Sequence, residues 1–165
     1  MDTAIYLHPT ATPKATAKPT AAGTKLKNKN ASYQVVSANP KQPTVTYVQN
    51  LKKTAASVTV PVQVKIGSVT YKVVAIGSKA FANNKKLKTL TIGKNITTIG
   101  KNAFAGCKKL KKITIKSTKL KSGAIGKNAF KGTAKNLVVK VPRKQYRAYK
   151  KFLKKKGNKT VKVTK

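Results

Sequence analysis

One phrase is written three times in this chain of 165 residues: Ile76-Gly77-Ser78-Lys79-Ala80-Phe81, Ile99-Gly100-Lys101-Asn102-Ala103-Phe104 and Ile125-Gly126-Lys127-Asn128-Ala129-Phe130. Apolar residues then return at fixed offsets from each phenylalanine. Six, nine and eleven positions on lie Leu87, Leu90 and Ile92 in the first copy, and Leu110, Ile113 and Ile115 in the second. The third copy has Asn136, Val139 and Val141 there, so one leucine is replaced. The copies start 23 and 26 residues apart. A unit of that length cannot bury its own apolar face and must stack on its neighbours. The pattern therefore predicts a repeat solenoid of α/β type, dominated by β-structure, with Phe81, Phe104 and Phe130 in one buried column.

The rhythm Ile-Gly-x-x-Ala-Phe-x-x-Cys-x-x-Leu-x-x-Ile-x-Ile is fullest where Gly106-Cys107-Lys108-Lys109-Leu110 follows Phe104. It resembles the BspA-like leucine-rich repeats of bacterial surface proteins, over about residues 58 to 141. Proline, which often follows the strand in that family, stands at Val60-Pro61 and Val141-Pro142, whereas Gly93 and Lys116 take its place in the middle copies. Asn136 in the leucine position marks the last copy as atypical, as expected of a terminal capping repeat. The resemblance implies an exported, adhesive or ligand-binding module at the cell surface or outside the cell. It supplies no catalytic residue.

Around the repeats the composition changes. Residues 1–23 read as a Thr/Pro/Ala/Lys-rich linker, with Pro9, Pro13 and Pro19 favouring extended backbone. No secretory signal is legible there, so the sequence reads as the C-terminal piece of a longer exported protein or as a truncated gene product, with a short cytoplasmic protein as the less favoured alternative. Residues 24–73 read as a β-rich N-terminal cap and first rung. Tyr33–Val36 and Thr44–Val48 form one hairpin around Asn39-Pro40, and Val62, Val64 and Ile66 form another with Val69, Tyr71 and Val73 around Gly67-Ser68. These antiparallel strands are expected to hide the first open edge of the sheet. Residues 74–141 hold the repeats, with each Ala-Phe pair in a short helical turn. Residues 142–165 read as a capping helix over Arg143–Lys156 and a strand over Thr160–Thr164. The helix begins after Pro142, stops at Gly157 and carries a stripe of Tyr146, Tyr149, Phe152 and Leu153.

Charge decides which chemistries are open. Against 38 Lys and Arg stands one acidic residue, Asp2, giving a formal net charge of +37. Carboxylate pairs, carboxylate metal ligands and an acid to orient a histidine are thereby missing from the folded region. His8 is the only histidine and lies in the same tail, and Cys107 reads as a small buried residue in the turn before Leu110. No enzyme, cofactor or metal site is expected. Only Arg143 and Arg147 are arginines, so the surface suits diffuse attraction to a polyanion better than bidentate base readout. The expected ligand surface is the sheet face with its lysine-rich borders, namely Lys88, Lys111, Lys112, Lys116 and Lys119. Its partner would be an anionic cell-wall polymer such as teichoic acid, or a host surface or matrix protein. Non-specific nucleic-acid binding through Lys150, Lys151, Lys154, Lys155 and Lys156, and a structural spacer without a ligand, are the alternatives. Permeabilising anionic membranes is disfavoured, because the one amphipathic helix is committed to capping and no stretch is long enough to span a bilayer.

Like charges at this density repel in the compact state, so added salt or polyphosphate should raise the melting temperature. Calorimetry between low and physiological ionic strength tests this. A flat or falling melting temperature would mean that the lysines stand too far apart to matter.

Overall fold

The computed structural model describes residues 17–165. Among these, eleven strands follow one another as β1 (Lys25–Lys27), β2 (Ala31–Ser37), β3 (Thr44–Asn50), β4 (Ser57–Val60), β5 (Gln63–Ile66), β6 (Val69–Ile76), β7 (Thr89–Ile92), β8 (Thr98–Ile99), β9 (Lys112–Ile115), β10 (Val138–Lys140) and β11 (Lys162–Thr164). The fold is strand-dominated, with a single short α-helix, α1 (Tyr146–Leu153). One sheet runs β1-β2-β3-β6-β5, with β8 also on β6. The other runs β11-β10-β9-β7-β4, and every neighbouring pair in it is parallel.

The repeated apolar spacing becomes columns. In the parallel sheet Val58, Leu90, Ile113, Val139 and Val163 lie in register across the five strands, all buried. The isoleucine that opens each phrase builds a second column, with Tyr47 beside Ile76, Ile76 beside Ile99, and Ile99 bridged to Ile125. The phenylalanines build a third. Ring centroids are 5.7 Å apart from Phe81 to Phe104 and 5.7 Å from Phe104 to Phe130. Tyr47 continues the column at 5.3 Å from Phe81, and Tyr33 closes it edge-on at 5.4 Å from Tyr47. Offset and edge-on contacts at such distances are the favoured geometries of aromatic pairs.

The Ala-Phe segments are not helical. Lys79, Asn83, Asn102 and Asn128 are left-handed, as are Gly106 and Gly132 at the position Asn83 holds in the first copy. Overlapping four-residue turns result, with Ala80 N donating to Gly77 O and Ala82 N to Lys79 O. The alternation frees the remaining amides to point at the next copy. Phe81 N donates to Ala103 O (2.8 Å), Phe104 N to Ala129 O (2.9 Å) and Phe130 N to Lys156 O (2.9 Å). A helical turn would have consumed those donors internally. The glycine of the phrase lets the stack close, because a Cβ on Gly100 would land on the backbone nitrogen of Ser78, and one on Gly126 on that of Lys101.

Three further expectations change. Asn136 is exposed and the leucine position of the third copy belongs to Leu137, which is fully buried. One extra residue enters the preceding turn, where Thr133 and Ala134 are both buried and Leu137 N donates to Ala134 O (3.1 Å). Nor is that copy terminal, since β11 pairs with β10 beyond it. The C-terminal helix is shorter than Arg143–Lys156. A 3-10 turn at Arg143–Gln145 leads into α1, which ends at Leu153 because Lys156 turns its carbonyl to Phe130 instead. Finally, the antiparallel strands cover only part of the first edge. β2 pairs with β3, but β4 is the last strand of the parallel sheet and has β7 on one side only. Of residues 1–23, those described pack on the domain: Pro19 is buried, and Gly23 N donates to Val35 O (2.8 Å).

Phe104→Ala should cost about 3 to 5 kcal/mol in urea unfolding, because both flanking rings lose contacts. Gly100→Ala should cost about 1 to 3 kcal/mol through overpacking. Gly123→Ala, where a Cβ meets nothing within 4 Å, should fall within about 0.5 kcal/mol of the parent. Equal stabilities for the three variants would refute the stacking register.

Candidate functional site

Alternation along each strand of the parallel sheet turns every second side chain away from the core. The register then aligns these outward residues in two rows. Ser57, Thr89, Lys112, Val138 and Lys162 form the first; Thr59, Thr91, Thr114, Lys140 and Thr164 form the second. All ten are exposed or half-buried. Neighbours within a row stand about 4.8 Å apart and the rows about 6.6 Å apart, as strand geometry dictates. The face is thus a lattice of hydroxyls interrupted by three amines and one valine.

Of the lysines expected from the sequence, Lys112 stands on this face. Lys88 and Lys111 precede β7 and β9 on the same border, where Lys88 O accepts both Lys111 N (2.9 Å) and Lys112 N (3.2 Å). Lys116 follows β9, its amide on Ile92 O (3.0 Å), and Lys119 lies in the loop beyond, its amide on the Ser117 hydroxyl (3.1 Å). All five are exposed. They form two groups at opposite ends of β9, about 13 Å apart along the strand. Lys140 and Lys162 complete the cationic set on the face and were not expected. The alternation of Val139 with Val141 and of Val161 with Val163 carried that signal.

Behind the face, polar side chains are tied to the backbone. Asn50, Asn84 and Asn158 accept from the amide two residues on, those of Lys52 (3.3 Å), Lys86 (3.1 Å) and Thr160 (3.0 Å). This is the Asx turn, which lets a buried asparagine close a loop. Cys107 does equivalent work in its turn, donating its Sγ–H to Phe81 O at 2.9 Å. Burial pushes its thiol pKa up. At the C-terminal end Tyr149, expected on the underside of the helix, is fully buried and donates to Ser117 O (2.7 Å). Tyr146 is half-buried, with Lys150 Nζ 5.5 Å and Lys165 Nζ 5.7 Å from its ring centre, so that ring is already covered by cations. His8 and Asp2 lie outside the described residues.

No helix among the described residues is long and apolar enough to cross a membrane. The sequence matches a family model, the BspA type leucine rich repeat region, in six copies over residues 62–163. The match ends within β11, at residue 163, so it reaches the last strand. No curated protein matches the chain in sequence. Among solved structures it is similar to a leucine-rich cell surface protein from Faecalibacterium prausnitzii, with TM-score 0.57 and 25% identity over 74% of this chain and 38% of that one. It is also similar to a leucine-rich repeat protein from Bacteroides capillosus, with TM-score 0.58 and 17% identity over 86% of this chain and 99% of that one. The chain thus spans well under half the length of the first of these proteins.

A thiol that is buried, hydrogen-bonded and raised in pKa supplies little thiolate. Alkylation of Cys107 by iodoacetamide near pH 8 should be at least about a hundredfold slower in the folded protein than in urea. Mass spectrometry against time reads this. Labelling at the free-thiol rate would mean that the turn is open.

Proposed function

The chain belongs to the BspA-type leucine-rich repeat family, and on that premise we propose that it is a non-catalytic binding module of an exported bacterial surface protein. Its repeats act as a solenoid closed by the N-terminal hairpins and by the C-terminal helix and strand. The module holds an anionic ligand, either a phosphate-rich cell-wall polymer or the acidic face of a host surface protein. The observation that carries this reading is the outward face of the parallel sheet, where Ser57, Thr59, Thr89, Thr91, Thr114 and Thr164 stand in register with Lys112, Lys140 and Lys162. Lys88 and Lys111 border one end of β9, and Lys116 and Lys119 the other.

Such a surface has a physical logic. A repeating polyanion meets amines that no described Asp or Glu side chain competes for, because the one acidic residue of the sequence is Asp2. Counterion release then drives association, and the hydroxyl rows add directional hydrogen bonds that salt does not screen. Lysine supplies point charges without the bidentate geometry that reads bases, which favours a polymer ligand over a nucleic-acid sequence.

The test is binding to isolated cell walls and purified teichoic acid at physiological salt. Changing Lys88, Lys111 and Lys112 together to glutamine should weaken binding at least about tenfold, or about 1.4 kcal/mol. The charge-matched change of Lys151, Lys154 and Lys155 in the C-terminal cluster should weaken it less than about twofold, since those amines lie off the face. Equal losses in the two variants would reduce the interaction to net charge. Sequence-selective DNA binding that survives physiological salt would overturn the surface-ligand reading.

A further inference from the structure

Away from that face, the first edge of the parallel sheet presents a different kind of site. β4 pairs with β7 on one side, and Ala56 O and Val60 O accept from Lys88 N, Thr89 N and Gly93 N there. In a parallel strand the main-chain groups of alternate residues point to opposite sides, so those of Ser57 and Thr59 face the free edge. Beside that edge lies a cleft of about 480 Å³. Its apolar floor is Tyr33, Tyr47, Val58 and Val64, and its rim carries Lys52 and Lys65. A buried acceptor also borders it, for Asn30 Oδ1 is shielded from solvent and has no hydrogen-bond donor.

We propose that this cleft is a strand-addition site, which takes an extended acidic peptide as a further strand paired to β4. The features divide the work of recognition as known strand-addition sites do. Main-chain pairing to Ser57 and Thr59 supplies affinity without sequence preference. Alternate apolar side chains of the guest reach Val58 and Val64. Its acidic residues, on the opposite side of its pleat, meet Lys52 and Lys65. Charge selects the occupant. A second copy of this chain would bring another +37 to the same edge, and so is disfavoured as the guest.

The guest pairs with the main chain of Ser57 and Thr59, whose hydroxyls open the two rows of the sheet face, so the site shares a strand with the polymer-binding reading but does not rest on it. The probe is a peptide of about eight residues alternating valine and glutamate, compared with a peptide of the same composition in which the valines and glutamates are grouped. The alternating peptide should bind at least about tenfold more tightly to the intact protein. Thr59→Pro removes an edge amide and should abolish the preference, whereas Thr59→Val keeps the amide and should retain it. A test on the unaltered protein uses two peptides N-methylated on alternate amides, in the two possible phases. One phase should lose binding and the other keep it, since only one set of guest amides faces β4. Equal binding of the alternating and grouped peptides, or equal binding of both methylated phases, would overturn the proposal. So would a dimer paired through β4, detected by sedimentation.

Discussion

Each repeat is locked to the next at one place, where backbone meets backbone with no side chain between. Gly100 and Gly126 bring consecutive phrases into contact, and the amides of Phe81, Phe104 and Phe130 donate across that contact to the following level. The aromatic column fixes the same interval from inside, with ring spacings between 5.3 and 5.7 Å. Aromatic burial stabilises each interval, and the directional hydrogen bonds fix its register. The register of the parallel sheet depends on this lock, because a slip of one residue would turn the whole apolar column outward.

A chain this basic folds because its stability needs no ion pairs. The described residues contain no Asp or Glu, and the buried polar groups are served almost entirely by the main chain and by one another. Asn50, Asn84 and Asn158 close their turns, Thr133 donates to Phe130 O (2.8 Å), and Asn158 Nδ2 reaches both Thr133 Oγ1 (2.8 Å) and Ala134 O (3.1 Å). The lysines are thereby left to the surface, where their flexible stems keep the amines in water. The described surface thus carries lysine amines with no Asp or Glu side chain beside them. Directional binding requires groups in fixed positions, and the two sites proposed above rest on such groups: the hydroxyl rows of the parallel sheet and the free edge of β4.

The extent to which the sequence could be read differs from element to element. The isoleucine, leucine and phenylalanine spacings were legible because a repeat prints the same local requirement several times. So was the β5–β6 hairpin, whose turn at Gly67-Ser68 puts Ile66 opposite Val69. Leu137 was missed because a fixed offset cannot register one added residue in a turn, whereas burial can. Tyr33 and Tyr47 continue the aromatic column from strands that carry no copy of the phrase, so no internal comparison pointed to them. Of the proposed ligand surface, Lys88, Lys111 and Lys112 could be found in the repeats, while Lys140 and Lys162 emerge only once β10 and β11 are in register with β9.

The amino-acid sequence by itself determined the repeat interval, the inward residues of most rungs and a composition with one acidic residue against 38 Lys and Arg, since periodicity and composition are local or additive properties. Only the tertiary structure decided which strands meet and which edge stays open. Whether β2 returns to cover β3, β4 or both depends on the path of the chain between them, and the same hairpin sequence is compatible with each. That path closes the aromatic column with Tyr33 and leaves Ser57 and Thr59 facing a cleft.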